Sequence, residues 1–231
     1  MPPQTLSWKV DCRDGVVTAT VDGTLDARSG RPLHRILAAW SSRAPVAILV
    51  DLTAATVVDE QAAQALTNLT SHADAWPGSP ILLCGPEDPD TSLVYATAAD
   101  VAATVAGDTA PRSEFLLPVP GAARQARNVV TDACVRWGLP HLTGPATVVA
   151  SELVSNVVMH AHTVMTLEVR LRPDYLFVAV FDEGYTVPEQ RTNPPDAPGG
   201  RGLQLVDILS ARWGYRRQRG GKVVWASFPR T

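Results

Sequence analysis

The sequence predicts an α/β (α+β) chain of two two-layer domains, residues 1–112 and 113–231, each a sheet with helices packed on it. Three observations predict this. A length of 231 residues accommodates one large domain or two small ones, at about 150 residues per domain. Apolar residues make up 45% and charged residues 19%, enough to bury a core in each half and too apolar for disorder. The strand and helix signals also break across residues 107–112 (GDTAPR), where turn residues interrupt them. Net charge changes at the same place, from −6 over residues 1–112 to +3 over 113–231. The asymmetry suggests units with different partners or units that attract one another, an intramolecular contact; the plainer reading is chance drift in surface charge.

In the first half, Leu6 to Cys12 and Val16 to Val21 read as a hairpin around Asp14 and Gly15. Leu33, Ile36, Leu37 and Trp40 recur at helical spacing. Val46 to Val50 is a short apolar run suited to a buried strand. Asp59 to Ala75 puts Ala62, Ala65, Leu66 and Leu69 on one helix face. Ile81 to Cys84 is another buried strand, and a weak helix from Ser92 to Val105 ends at Gly107. This order implies one mixed sheet with helices against it.

In the second half, Phe115 to Pro118 is a short strand and Ala122 to Trp137 a helix ended by Gly138, with Pro140 beyond. Ala146 to Ala161 is an apolar helix carrying a few polar residues. Val164 to Leu171 and Tyr175 to Phe181 are strands joined by Arg172, Pro173 and Asp174. Residues 187–200 (VPEQRTNPPDAPGG) hold four prolines and read as a loop. Leu203 to Leu209 is a short helix, and Arg212 to Arg217 with Val223 to Phe228 closes the chain as a hairpin.

Composition excludes several classes. A net charge of −3 argues against general nucleic-acid binding. No run approaches 18 consecutive apolar residues, so no membrane-spanning helix is expected, and MPPQTLSWKV lacks the pattern of a signal peptide. Cys12, Cys84 and Cys134 are distant and odd in number, so neither a disulfide framework nor a zinc knuckle is expected and the compartment reads as cytoplasmic. His160 and His162 stand two apart on a helix and face apart, which disfavours a shared metal.

Three motifs carry chemistry. Glu152, Asn156 and His160 are spaced i, i+4, i+8 and lie within an arc of about 80° on an ideal helix. A carboxylate and a carboxamide one turn apart can both offer oxygen to a hard cation, or the acid can take a proton while the amide holds the metal. The alternative is the solvated edge of an amphipathic helix. Asp182 and Gly184 follow a buried strand, where a carboxylate can accept from a ligand that approaches the backbone closely. Gly199 to Leu203 opens a helix with Gly200, Arg201 and Gly202, leaving free N–H groups for an anion. It is not a dinucleotide fingerprint, and no phosphate loop of the GxxxxGK[ST] kind exists.

Together, and in this order, the motifs resemble those of the histidine-kinase-like ATPase superfamily, and within it the bacterial anti-sigma-factor serine kinases. Residues 151–161 (SELVSNVVMHA) are similar to that family's N box, Asp182-x-Gly184 to its adenine-binding box, and residues 200–203 (GRGL) to its second glycine box. The resemblance covers nearly all of 113–231. It implies that Asn156 coordinates Mg2+ on ATP, that Glu152 is the general base toward a substrate serine, and that Asp182 accepts from the adenine amino group. Gly184 would admit the base; Gly200 and Gly202 would cradle phosphate. With no lysine expected nearby, charge neutralisation falls to Mg2+, Arg201 and backbone dipoles. Thr186 and Val187 stand where the family places a second glycine, and Val223 where it often has an adenine-binding threonine.

The acidic half resembles the STAS fold of anti-sigma-factor antagonists, on residues 50–53 (VDLT) and 57–60 (VVDE). That family begins the following helix with Asp-Ser, the serine being phosphorylated; here Asp59 is followed by Glu60. Glutamate cannot accept phosphate and carries one charge where phosphoserine carries about −1.5 to −2. The plainer reading of Glu60 is a carboxylate favoured at a helix N-terminus.

The resemblances imply a partner-switching regulator that binds ATP and phosphorylates a STAS-type antagonist, and so controls a sigma factor. Two other readings stay open: a nucleotide-gated binding module without turnover, and an interaction protein with a dead nucleotide site. Relatives of the second half commonly form homodimers. A histidine-kinase reading fits poorly, since no dimerisation helix presents His34, His72 or His141 as an acceptor.

Overall fold

The computed structural model describes residues 6–28, 32–33, 36–37, 40, 45–70, 79–85, 93, 95–107, 109–186 and 202–231. The chain divides into two compact units. The first runs to Asp108 apart from residues 74–76, and the second holds Thr109–Thr231.

In the first unit, β1 (Ser7–Arg13) and β2 (Val16–Leu25) form the expected hairpin. Asp14 and Gly15 take φ of 50° and 78°, the left-handed pair that a two-residue hairpin turn requires. β3 (Ala47–Val57) and β4 (Ile81–Cys84) complete a sheet of order β1-β2-β3-β4, antiparallel at β1–β2 and parallel thereafter. The sheet is mixed, as expected. β3 runs well past Val50, because its pairing with β2 resumes beyond an irregularity and continues to Leu25 opposite Val57. Helix α1 (Glu60–Thr70) is capped by Asp59, whose Oδ1 accepts the Ala62 N–H at 2.7 Å. Helix α2 (Ala98–Gly107) begins later than the apolar pattern suggests. Thr97 and Asp100 set that start with a reciprocal cap: Thr97 N–H donates to Asp100 Oδ2 at 2.7 Å, and Asp100 N–H to Thr97 Oγ1 at 3.2 Å.

The second unit contains β5 (Arg112–Leu116), α3 (Ala122–Arg136), α4 (Pro140–Asn156) and a π turn (Val157–Ala161). These are followed by β6 (Met165–Leu171), β7 (Tyr175–Asp182), α5 (Gly202–Leu209), β8 (Arg212–Gln218) and β9 (Gly221–Pro229). The strands form one antiparallel sheet of order β5-β6-β7-β9-β8. Gly138 ends α3 as expected, at φ 67°, with the Leu139 N–H returning to the Cys134 carbonyl at 2.8 Å. Pro140, read from sequence as lying between helices, instead occupies the first turn of α4, where its missing N–H costs nothing. With the π turn, α4 forms a 22-residue helix, Pro140–Ala161, long and apolar enough to cross a membrane by length and composition. Its Ala146, Val149, Ala150, Leu153 and Val154 are buried in the core between helices and sheet.

Strand alternation fixes which side chains face the helices. Val178 and Val180 of β7 and Val224 and Ala226 of β9 belong to the helix-side core, whereas Phe177, Ala179, Val223 and Trp225 form a separate cluster. Asp182 and Lys222 share parity with the first set and stand opposite one another in the β7–β9 register.

The β9 backbone closes tightly on the end of β7. A Cβ at Gly221 (φ 153°) would overlap the Asp182 carbonyl oxygen and come within 2.8 Å of Glu183 Cα. Gly144, in α4, has open space around it. Gly221→Ala is therefore expected to destabilise the protein by about 2 kcal/mol or more, and Gly144→Ala to stabilise it by about 0.5–1 kcal/mol. Urea unfolding of the two variants checks this; equal effects would contradict the β7–β9 packing.

Candidate functional site

The site lies along one edge of α4 and its π turn. Leu153, Val154 and Val157 point into the core, leaving Glu152 and Asn156 half-buried on the edge. The first residue of α5 closes over them. A Cβ on Gly202 would lie 2.5 Å from Glu152 Oε2 and 3.8 Å from Asn156 Oδ1, so both oxygens lie within 3.8 Å of one point beside that helix N-terminus. A methyl here would have to push the flexible tip of Glu152 aside. Two hard oxygen donors, a basic carboxylate and the N–H groups of a helix start then meet in one place, which is chemistry suited to a cation and an anion together.

Further along, the π turn carries Ala161 against Gly184: a Cβ there would stand 2.9 Å from Ala161 Cβ, 2.8 Å from Asp182 Oδ1 and 3.1 Å from Lys222 Nζ. The Gly184 N–H donates to Asp182 Oδ1 at 2.7 Å, a local turn that fixes the carboxylate. Lys222 Nζ donates to the same oxygen at 2.8 Å and to the Gly184 carbonyl at 3.2 Å. Both side chains are buried. The other carboxylate oxygen, Asp182 Oδ2, is buried with no hydrogen-bond partner. An ionised oxygen without a donor is costly, so this geometry calls for a ligand N–H. Nine residues separate Glu152 from Ala161, about 13 Å along a helix.

The structure thus brings Glu152, Asn156 and Gly202 together at one end of this edge, and Asp182 and Gly184 at the other. Gly200 and Arg201, and the loop at 187–199, lie outside the described residues. His160 does not join the cluster: the backbone changes from α to π at Val157, which alters the ideal spacing, and the residue is exposed. Glu60 stands in the first unit, exposed in the first turn of α1 beside its cap Asp59. The expectation that no lysine stands near the site is overturned, because the β7–β9 register places Lys222 directly across from Asp182. The available signal was that one of only two lysines in the chain opens the last apolar strand, directly after Gly220 and Gly221. The π turn had no comparable signal. A cavity of about 240 Å3 borders Asp182 and Lys222, but Phe115, Thr166 and Phe181 on the sheet's other face help wall it and neither Glu152 nor Asn156 lines it.

Residues 117–228 match the family described as histidine kinase-like ATPase domain. The second unit is a histidine kinase-like ATPase domain. Among solved structures, the chain is similar to the RsbU and RsbW domains of a Mycobacterium tuberculosis protein, at 19% identity and a TM-score of 0.40, over 52% of this chain and 32% of that one. It therefore spans about a third of that protein's length. It is also similar to an anti-sigma factor antagonist from Mycobacterium paratuberculosis, at 19% identity and a TM-score of 0.35, over 45% of this chain and 97% of that one. A third similarity is to the histidine kinase domain of the Erythrobacter litoralis EL346 blue-light activated histidine kinase, at 21% identity and a TM-score of 0.32, over 46% and 60% of the chains. Comparison with curated proteins finds no match.

For an ATPase domain, which implies ATP as the ligand, the residues fit. Asp182 Oδ2 lacks the donor an adenine amino group supplies, and the space at Gly202 would be filled by any side chain. The two glycines should respond differently to substitution. In Gly202→Ala the new methyl meets the flexible tip of Glu152, so stability should change by no more than about 1 kcal/mol. In Gly184→Ala it meets Ala161, fixed to the helix, and overpacking should cost about 1–3 kcal/mol. Thermal unfolding of both variants reads this order; the reverse order would contradict the site geometry.

Proposed function

We propose that the ATPase domain binds Mg-ATP and acts as an ATP-dependent serine/threonine protein kinase on a STAS-type anti-sigma-factor antagonist. The chain would then be a cytoplasmic regulator of a partner-switching circuit acting through that antagonist on a sigma factor. The observation that carries this reading is the convergence of Glu152 Oε2 and Asn156 Oδ1 at the N-terminus of α5. Asn156 would hold Mg2+, which when bound offsets phosphate charge. Gly202, with Gly200 and Arg201, would receive the phosphates, and Asp182 Oδ2 would accept from the adenine amino group. Glu152 is the general base. It takes the proton from the substrate hydroxyl as that oxygen forms its bond to the γ-phosphorus and the bond from that phosphorus to the β,γ-bridging oxygen breaks, releasing ADP. Positioning and charge carry most of such a transfer.

In this reading residues 1–112 are a STAS-like domain that tethers, inhibits or directs the kinase. Glu60 in its first helical turn cannot accept phosphate, so in this reading the substrate serine is that of a separate antagonist. That same feature favours a second reading, in which nucleotide binding alone is the output.

Transfer of label from γ-labelled ATP to a serine-bearing STAS antagonist separates the two. The kinase reading expects transfer by the wild type and a loss of about 10²- to 10⁴-fold in Glu152→Ala, with Mg-ATP still raising that variant's melting temperature. Equal transfer by Glu152→Ala would remove Glu152 from its role. Stabilisation by Mg-ATP with no transfer by the wild type would establish the binding module instead.

A further inference from the structure

We infer that Lys222 is a latch on the base end of the nucleotide site: it closes off Asp182 in this structure and releases it by swinging to Glu183. The inference rests on the proposed nucleotide binding and deepens it to how entry of the nucleotide is controlled.

The carboxylate that would receive the base is sealed. The Asp182 side chain is 0% exposed and the Lys222 side chain 9%. Asp182 Oδ2, the oxygen without a partner, is buried with the rest. The space beside Gly184 is filled: a Cβ there would stand 2.8 Å from Asp182 Oδ1, 2.9 Å from Ala161 Cβ and 3.1 Å from Lys222 Nζ. A ligand N–H therefore reaches Asp182 after one of these groups moves. Ala161 is fixed to the π turn, and the Asp182 carboxylate is tied by the Gly184 N–H at 2.7 Å. Of the three, the ammonium sits at the end of a flexible four-carbon stem. It holds two acceptors at once, Asp182 Oδ1 at 2.8 Å and the Gly184 carbonyl at 3.2 Å, and so bolts the end of β7 to the turn that follows it.

The same lysine has a place to go. It borders the cavity of about 240 Å3, and Glu183 lines that cavity with it. Glu183 is exposed and directly follows Asp182. A move there exchanges one carboxylate partner for another, while an amino group of the ligand replaces the ammonium as donor to Asp182. Breaking a buried ion pair is costly when one charge is left bare, and in this exchange neither is. The closed form excludes the base, so the apparent affinity for nucleotide is lowered by the fraction of molecules that are open.

The test is calorimetric titration of the full chain with Mg-ATP, for the wild type, Lys222→Met, Glu183→Gln and the double variant. Met keeps the apolar stem and removes the ammonium, so Lys222→Met should bind about tenfold tighter or more. Glu183→Gln removes the partner of the open form and should bind about two- to fivefold more weakly, the range of one exposed ion pair. In the double variant the Glu183 effect should vanish. Charge alone predicts the reverse for both single variants, because ATP is an anion: losing a cation would weaken binding and losing a carboxylate would strengthen it. Equal or weaker binding by Lys222→Met overturns the latch and leaves the proposed function standing. So does equal or tighter binding by Glu183→Gln, or a Glu183 effect that persists in full in the double variant. If Lys222→Met does not fold, Glu183→Gln against the wild type still decides. Binding of Mg-ATP by neither the wild type nor any variant overturns the proposed nucleotide binding and the latch with it.

Discussion

The ion pair between Asp182 and Lys222 is the constraint from which the site is built. Two opposite charges are taken out of water at the end of a sheet, where an imperfect geometry would cost more than it returned. The antiparallel register of β7 and β9 supplies that geometry by setting the two residues directly opposite on the helix-facing side. Gly221 lets the β9 backbone press onto the Asp182 carbonyl, and the turn from Gly184 to Asp182 Oδ1 locks the carboxylate from the other side. One carboxylate oxygen is thereby held by two donors, and the other is buried without a hydrogen-bond partner.

The long helix joins this end of the sheet to the other half of the site. Its apolar side is held by the core, so the edge bearing Glu152 and Asn156 cannot rotate freely. The change to π geometry straight after Asn156 ends in His162 at φ 54°, whose N–H returns to the Val157 carbonyl at 2.8 Å. That ending sets Ala161 against Gly184. One element therefore positions both ends of the candidate site, Glu152 with Asn156 and Ala161 against Gly184, separated by about 13 Å of helix. A rigid ruler of this kind suits phosphoryl transfer, where positioning and charge carry most of the catalysis.

Much of this was legible in the sequence because it depends on local patterns. The hairpin at Asp14 and Gly15, the stop at Gly138 and the alternation in β7 follow from turn chemistry and strand period. The spacing of Glu152 and Asn156 placed both on one edge before any fold was known. What was not legible depends on contacts between distant segments. Lys222 reads as a strand-edge charge until its partner forty residues earlier is known, and β3 runs beyond Val50 only because β2 continues alongside it. The beginning of α4 is not legible, because Pro140 can either break a helix or open one and the burial of Leu142 that accompanies the helix start is tertiary. His160 shares an edge with Glu152 and Asn156 only on an ideal α-helix, which the π turn does not follow.

The central claim is that Glu152, Asn156 and Asp182 serve one magnesium-bound nucleotide. The most direct measurement is a structure of the full chain with a non-hydrolysable ATP analogue and Mg2+. The account predicts the adenine amino group on Asp182 Oδ2, the metal on Asn156 and the terminal phosphate beside Glu152. An analogue seated elsewhere, with Asp182 Oδ2 still without a donor, would contradict it.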